Sequence, residues 1–237
     1  MAPSHASVTS HDRAALGFER LVFFSDAVFA IAITLLVLDL RLPPPVHGAL
    51  DIGPVIPKLI GFVISFFVIG IYWLSHHRLF DTLRDQDSPL RVVNLVFLAA
   101  IVFLPFPTSV VSEMAGSAGP VVFYALSVSA VGLMLVVLAL TARRSSLMRP
   151  GETRGGTARW VIRSLAAPLV FLATTLVAPS NPTLAMLLWI GVAPAVPLFD
   201  RVGIMAQRRI DGAGRQGPTP LPPKRSAART GAKRPAK

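Results

Sequence analysis

Cysteine is absent from the 237-residue chain, so neither disulfides nor thiolate chemistry contribute to it, and its redox compartment is left unread. Charge is scarce. Only 15% of residues are charged, against about 25% in an ordinary soluble domain, while 53% are hydrophobic. Such a balance excludes a conventional soluble fold and points to a membrane protein. Signals for catalysis are missing as well. There is no Gly-rich nucleotide loop, no nucleophile beside a base and no pair of carboxylates at enzyme spacing, so no enzyme and no cofactor or metal are expected. A cleavable leader is not expected either. The first 20 residues hold no apolar core, and the first apolar run is followed by Asp39 and Arg41 rather than by small residues.

What is present is a series of long apolar runs. Leu21 to Leu40 covers roughly 30 Å as a helix, enough for the hydrocarbon core of a bilayer. Pro43-Pro44-Pro45 ends that run, because proline cannot continue a helix. Further spans are expected at about 55–75, 90–111, 120–141, 160–178 and 183–199, with a bend at Pro105-Phe106-Pro107. The expected fold is therefore an all-α membrane protein of six transmembrane helices over residues 20–200. It is flanked by a disordered N-terminus (1–19) and a basic, disordered tail (201–237). Tyr72, Trp73, Trp160 and Trp189 read as anchors at the membrane–water interface.

The net charge of +11 resembles a nucleic-acid signal until it is located. Segments 1–20, 76–91, 142–163 and 201–237 hold 21 of the 23 Lys and Arg residues, and the opposite loops hold only Arg41 and Lys58. By the positive-inside rule both termini are cytoplasmic, and a multi-pass location in the cell membrane follows. The tail then serves orientation and lipid contact, and no nucleic-acid partner is expected.

The first span carries an acid, Asp26, which costs roughly 2.5–3.5 kcal/mol on insertion scales and so needs a partner or a task. On a helical wheel with Ile31 at zero, Ala27, Thr34, Leu35 and Leu38 fall within about 60° of it, whereas Asp26 and Ser25 fall at about −140° and +120°. The polar pair is suited to hold the helix against others of its own subunit. The aliphatic stripe is left for lipid, for core packing or for a shared axis. Candidate partners for Asp26 at its own depth are Arg20, His76, His77 and Asn94. Adjacent histidines point in different directions, so a metal site at His76-His77 has little support, and a structural or proton-sensing part suits them better.

Arg20-x-x-x-Phe24-Ser25-Asp26, followed by Ala27 to Leu38, resembles the opening signature of the transmembrane protein 175 family of potassium channels. The similarity continues through Tyr72-Trp73-x-x-His76-His77-Arg78-x-Phe80, Leu90, Asn94-Leu95 and Pro105-Phe106-Pro107. The resemblance implies a potassium-permeable channel with one six-helix repeat, assembled as a homotetramer with the first helix of each subunit lining a central pore. It implies a constriction at Ile31, further rings at Leu35 and Leu38, a threonine layer at Thr34, and no conventional filter loop. Nothing like Thr-Val-Gly-Tyr-Gly occurs here, in agreement. Arg20, Phe24, Ser25 and Asp26 then form the signature clamp. The partners implied are other copies of the chain, the bilayer and potassium ions. Asp39, near the outer end of the helix, reads either as a cation-concentrating mouth or as a solvated helix terminus. The alternative is a proton-coupled secondary transporter using Asp26. Against it, no internal repeat is evident and Asp26 lies near one end of its span.

Overall fold

In lipid, backbone N–H and C=O groups must be satisfied within the chain, and apolar runs of this length meet that demand as helices. The computed structural model describes residues 10–41, 52–114 and 116–215. Nine α-helices occupy them: α1 (Ser10–Leu35, continued by a 3-10 turn, Leu36–Asp39), α2 (Val55–Asp81), α3 (Ser88–Phe103), α4 (Pro105–Glu113), α5 (Ala118–Arg144), α6 (Arg154–Ser164), α7 (Ala166–Val177), α8 (Pro182–Leu188) and α9 (Val192–Arg215). Helix α3 starts on Asp87, whose side chain accepts the amide of Leu90 at 2.8 Å. Thr153 and Asn181 do the same for α6 and α8.

The chain is a multi-pass membrane protein. Five stretches are long and apolar enough to cross a bilayer: Arg13–Asp39, Val55–Asp81, Ser88–Glu113, Ala118–Arg144 and Arg154–Val177. The sixth expected span is broken rather than straight, with Pro182–Gly191 and Ala195–Gly212 meeting at 51°. Two other spans are interrupted. Pro105 has no amide to continue α3, so the third span steps into α4 at the position where the sequence places a bend. The fifth span steps at Leu165, three residues before Pro168.

Several helices outrun their apolar cores. Helix α1 begins at Ser10, so residues 10–19, expected within the disordered N-terminus, are helical. Helix α9 reaches Arg215, which removes 201–215 from the expected disordered tail. Helix α2 carries His76, His77 and Arg78, which were expected in a loop. The physical reason is common to all three. Helical hydrogen bonding needs no hydrophobic side chain, so hydropathy marks where the membrane is and not where the helix stops. The Pro43–Pro45 stop, residues 1–9 and the tail from 216 onward lie outside the described residues.

The core forms around α5. Tyr124, Phe171 and Trp189 pack ring against ring, with Tyr124 and Trp189 centroids 4.8 Å apart and Phe171 and Trp189 5.3 Å apart. Trp189 donates its indole N–H to Thr174 Oγ1 at 3.1 Å and is buried, which corrects its expected place as an interface anchor. Tyr72 is buried too and donates its hydroxyl to the Val128 carbonyl at 2.8 Å. Helices α5 and α7 approach so closely that a Cβ on Gly132 would stand 2.7 Å from the Pro168 ring. Gly132→Val should therefore force the pair apart and lower stability by about 1–3 kcal/mol, read as a lower thermal midpoint in detergent; an unchanged midpoint would mean that the ring yields.

Candidate functional site: the first helix and its clamp

Helix α1 divides cleanly by face. Ser25, Phe29, Ala32 and Leu36 are buried in the protomer at 3% exposure or less. At 100° per residue these four cluster near +130° from Ile31, almost opposite the aliphatic stripe. The stripe itself is turned out of the protomer. Ile31 is 56% exposed, Leu35 38% and Leu38 63%, and Ala27 and Thr34 are exposed beside them. The Thr34 hydroxyl donates to the Ile31 carbonyl at 2.9 Å, so its oxygen lone pairs stay available outward.

The inward face is held by a chain of hydrogen bonds. His76 Nε2 lies 2.9 Å from Asn94 Oδ1. Because an amide oxygen only accepts, Nε2 carries the proton in this arrangement. Asn94 then donates its Nδ2 to Ser25 Oγ at 2.9 Å, and Ser25 donates onward to the Leu21 carbonyl at 2.9 Å. Ser25, His76 and Asn94 are each at most 1% exposed. The His76 ring is enclosed by aromatics, with centroids 4.2 Å from Phe80, 5.4 Å from Phe97 and 5.5 Å from Phe29. Three helices, α1, α2 and α3, are thus joined through one amide.

Asp26 is not part of that chain. It is half-buried and accepts the indole N–H of Trp73 at 2.9 Å. The partners expected for the acid close instead on its neighbour Ser25 (Asn94 directly, and His76 through it). His77 is exposed, stacks on Trp73 at 5.7 Å and faces Asp81 at 3.8 Å. Arg20 and Phe24 are exposed and share the angular range of Ile31, being 11 and 7 residues before it. Within the protomer they belong to the outward stripe and not to the clamp. Trp73 is the functional residue that sequence reasoning missed. Its indole donor was read as an interface feature, although an indole beside an intramembrane acid has an obvious acceptor.

At the other end of α1, Asp39 is tied down. Ser109 donates to its Oδ1 at 2.9 Å, and Lys58 Nζ stands 4.0 Å away while lying 3.1 Å from Glu113. Asp39 is accordingly neither a free charge nor a merely solvated terminus. It packs α1 against α2 and α4. No group of three or more His, Asp or Glu side chains suited to a metal ion occurs among the described residues.

Residues 20–105, which contain the stripe, the clamp and the Pro105 step, match the family model described as Endosomal/lysosomal potassium channel TMEM175. Over that stretch the chain is similar to the TMEM175 family. A potassium channel of Streptomyces collinus is 41% identical over 97 residues, which is 40% of this chain and 47% of that protein. A potassium channel of a Chryseobacterium species is 32% identical over 130 residues, 55% of this chain and 65% of that protein. The match thus spans about half of the first relative's length and just under two thirds of the second's. The crystal structure of a lysosomal potassium-selective channel TMEM175 homolog from Chamaesiphon minutus superposes with a TM-score of 0.56 at 23% identity, covering 82% of this chain and 98% of that one. The TMEM175 fold accordingly extends well past the region in which the TMEM175 sequence pattern is detectable.

Proposed function

We propose that the chain is a potassium-permeable cation channel of the cell membrane. In this reading four copies assemble about an axis lined by α1, both termini lie in the cytoplasm, and rings of Ile31, Leu35 and Leu38 close the conduit. The observation that carries the reading is the outward stripe of α1. A protomer that buries Ser25, Phe29, Ala32 and Leu36 leaves Ile31, Thr34, Leu35 and Leu38 uncovered on the opposite side. The relatives named as potassium channels supply the ion and the family's name supplies the same. Aliphatic rings around a narrow conduit gate by dewetting, and Thr34 hydroxyls or backbone carbonyls replace part of the ion's hydration when the rings retract. Potassium sheds water more readily than sodium, so selectivity in its favour is modest. Ser25, Asp26 and Trp73 fix the rotation of α1 and so decide which side chains meet the axis. No catalytic role is proposed.

The carrier alternative gains nothing from the geometry. Among the described residues, the fully buried polar chain that reaches α1 runs from His76 through Asn94 and Ser25 to the Leu21 carbonyl and stops there. The test is flux through vesicles reconstituted with the full chain. Passive potassium flux down its gradient, greater than sodium flux, is the expected result. Saturable flux that needs a proton gradient would establish the carrier instead, and the absence of flux would overturn both.

A further inference from the structure

The end of the bundle that carries most of the arginine holds a built cavity. It measures about 210 Å³ and lies between α2, α6 and α9. Arg78, Arg159 and Arg163 line it together with Trp160 and the hydroxyls of Ser75 and Ser164. A single carboxylate answers the three cations. Asp200 accepts from Arg159 through both oxygens, Nε and an Nη each at 3.1 Å, and stands 3.8 Å from Arg163. Arg78 has no hydrogen bond or ion pair within 4 Å among the described residues, and three arginines against one carboxylate leave the cavity with an excess of two positive charges. The close approach of α6 to α9 keeps it in shape. A Cβ on Gly203 would sit 3.0 Å from the Arg159 carbonyl oxygen.

A second cavity of about 210 Å³ shares Ser75, Arg78, Arg163 and Ser164 with the first, and its walls are apolar: Leu74, Leu135, Ala167, Val192 and Val196. A basic chamber continuous with a greasy cleft, beside an interfacial tryptophan, has the chemistry of one ligand class. We infer that this place holds an anionic phospholipid, its phosphate among Arg78, Arg159 and Arg163 and part of an acyl chain in the cleft between α2, α5, α7 and α9. Arginine presents a planar fork that matches phosphate oxygens, and Arg159 is already oriented by Asp200. A soluble anion would fill the chamber and leave the cleft unused; a neutral lipid would use the cleft and leave the excess positive charge in place. The site rests on the membrane-spanning fold and is independent of whether the chain conducts ions.

The test uses Trp160 as a reporter in the full chain reconstituted in phosphatidylcholine vesicles. Brominated phosphatidylglycerol should quench the part of the emission that Trp160→Phe removes, at about fivefold lower mole fraction than brominated phosphatidylcholine. Arg78→Gln/Arg163→Gln should abolish that preference. Arg208→Gln/Arg209→Gln, which removes two exposed arginines from α9 outside the cavity, should keep it. Millimolar inorganic phosphate should not compete. Equal quenching by the two lipids, an equal loss in both arginine pairs, or displacement by phosphate would each overturn the assignment. If the Arg78/Arg163 variant does not fold, the wild-type thermal midpoint in detergent decides: a rise with phosphatidylglycerol and none with phosphatidylcholine supports the site, and equal effects refute it.

Discussion

Ile31→Asn should raise passive potassium flux roughly tenfold while leaving the protomer folded. Ile31 is 56% exposed in the protomer and sits opposite the buried face of α1, so an asparagine there removes little packing within a subunit. Its effect is confined to whatever the stripe faces. If four stripes meet on an axis, four amides replace four sec-butyl groups at the narrowest ring. A barrier lower by about 1.4 kcal/mol in total, shared among four side chains, is enough for a tenfold change in rate. The control is Val92→Asn, because Val92 is 62% exposed on α3 and away from the α1 stripe. Vesicle flux should distinguish the two variants. If Ile31→Asn and Val92→Asn conduct alike, the stripe faces lipid and the proposed gate fails.

The stripe was legible in the sequence because a helical wheel needs only the spacing of residues along one helix. Ile31, Thr34, Leu35 and Leu38 therefore came out on one face, and the structure leaves all four exposed. The partners of the polar pair were harder to read. Ser25 and Asp26 are 100° apart, and the buried face is narrower than the arc between them. It takes in Ser25 and leaves Asp26 at its edge, within reach of the half-buried Trp73. Which neighbour reaches which residue depends on the relative rotation of α1, α2 and α3, which no single-helix pattern contains. The third-span bend could be read because proline acts locally. The 51° break in the last span, between Gly191 and Ala195, has the same kind of local signal in Gly191 and Pro194, which the expectation of a straight span at 183–199 passed over.

Asn94→Leu is expected to be the most damaging single change in the α1–α3 clamp, at about 2–5 kcal/mol. Interhelical hydrogen bonds in membrane proteins average only about 0.6 kcal/mol in coupling, so the loss of two such bonds would be mild. The greater cost comes from what stays behind. Leucine leaves the His76 Nε2 donor facing an apolar group in a site that is 1% exposed, and it leaves the fully buried Ser25 oxygen without its donor. Each orphaned group costs about 1–3 kcal/mol. This account makes a second, opposite forecast. The combined variant Ser25→Ala, His76→Phe, Asn94→Leu removes every member of the chain at once. A phenylalanine at 76 enters a cage already built from Phe29, Phe80 and Phe97. Its thermal midpoint in detergent should recover most of what the single variant loses. If the triple variant is instead less stable than Asn94→Leu alone, the polar chain stabilises the packing of α1 on α2 and α3 directly, and the orphaned-group explanation is wrong.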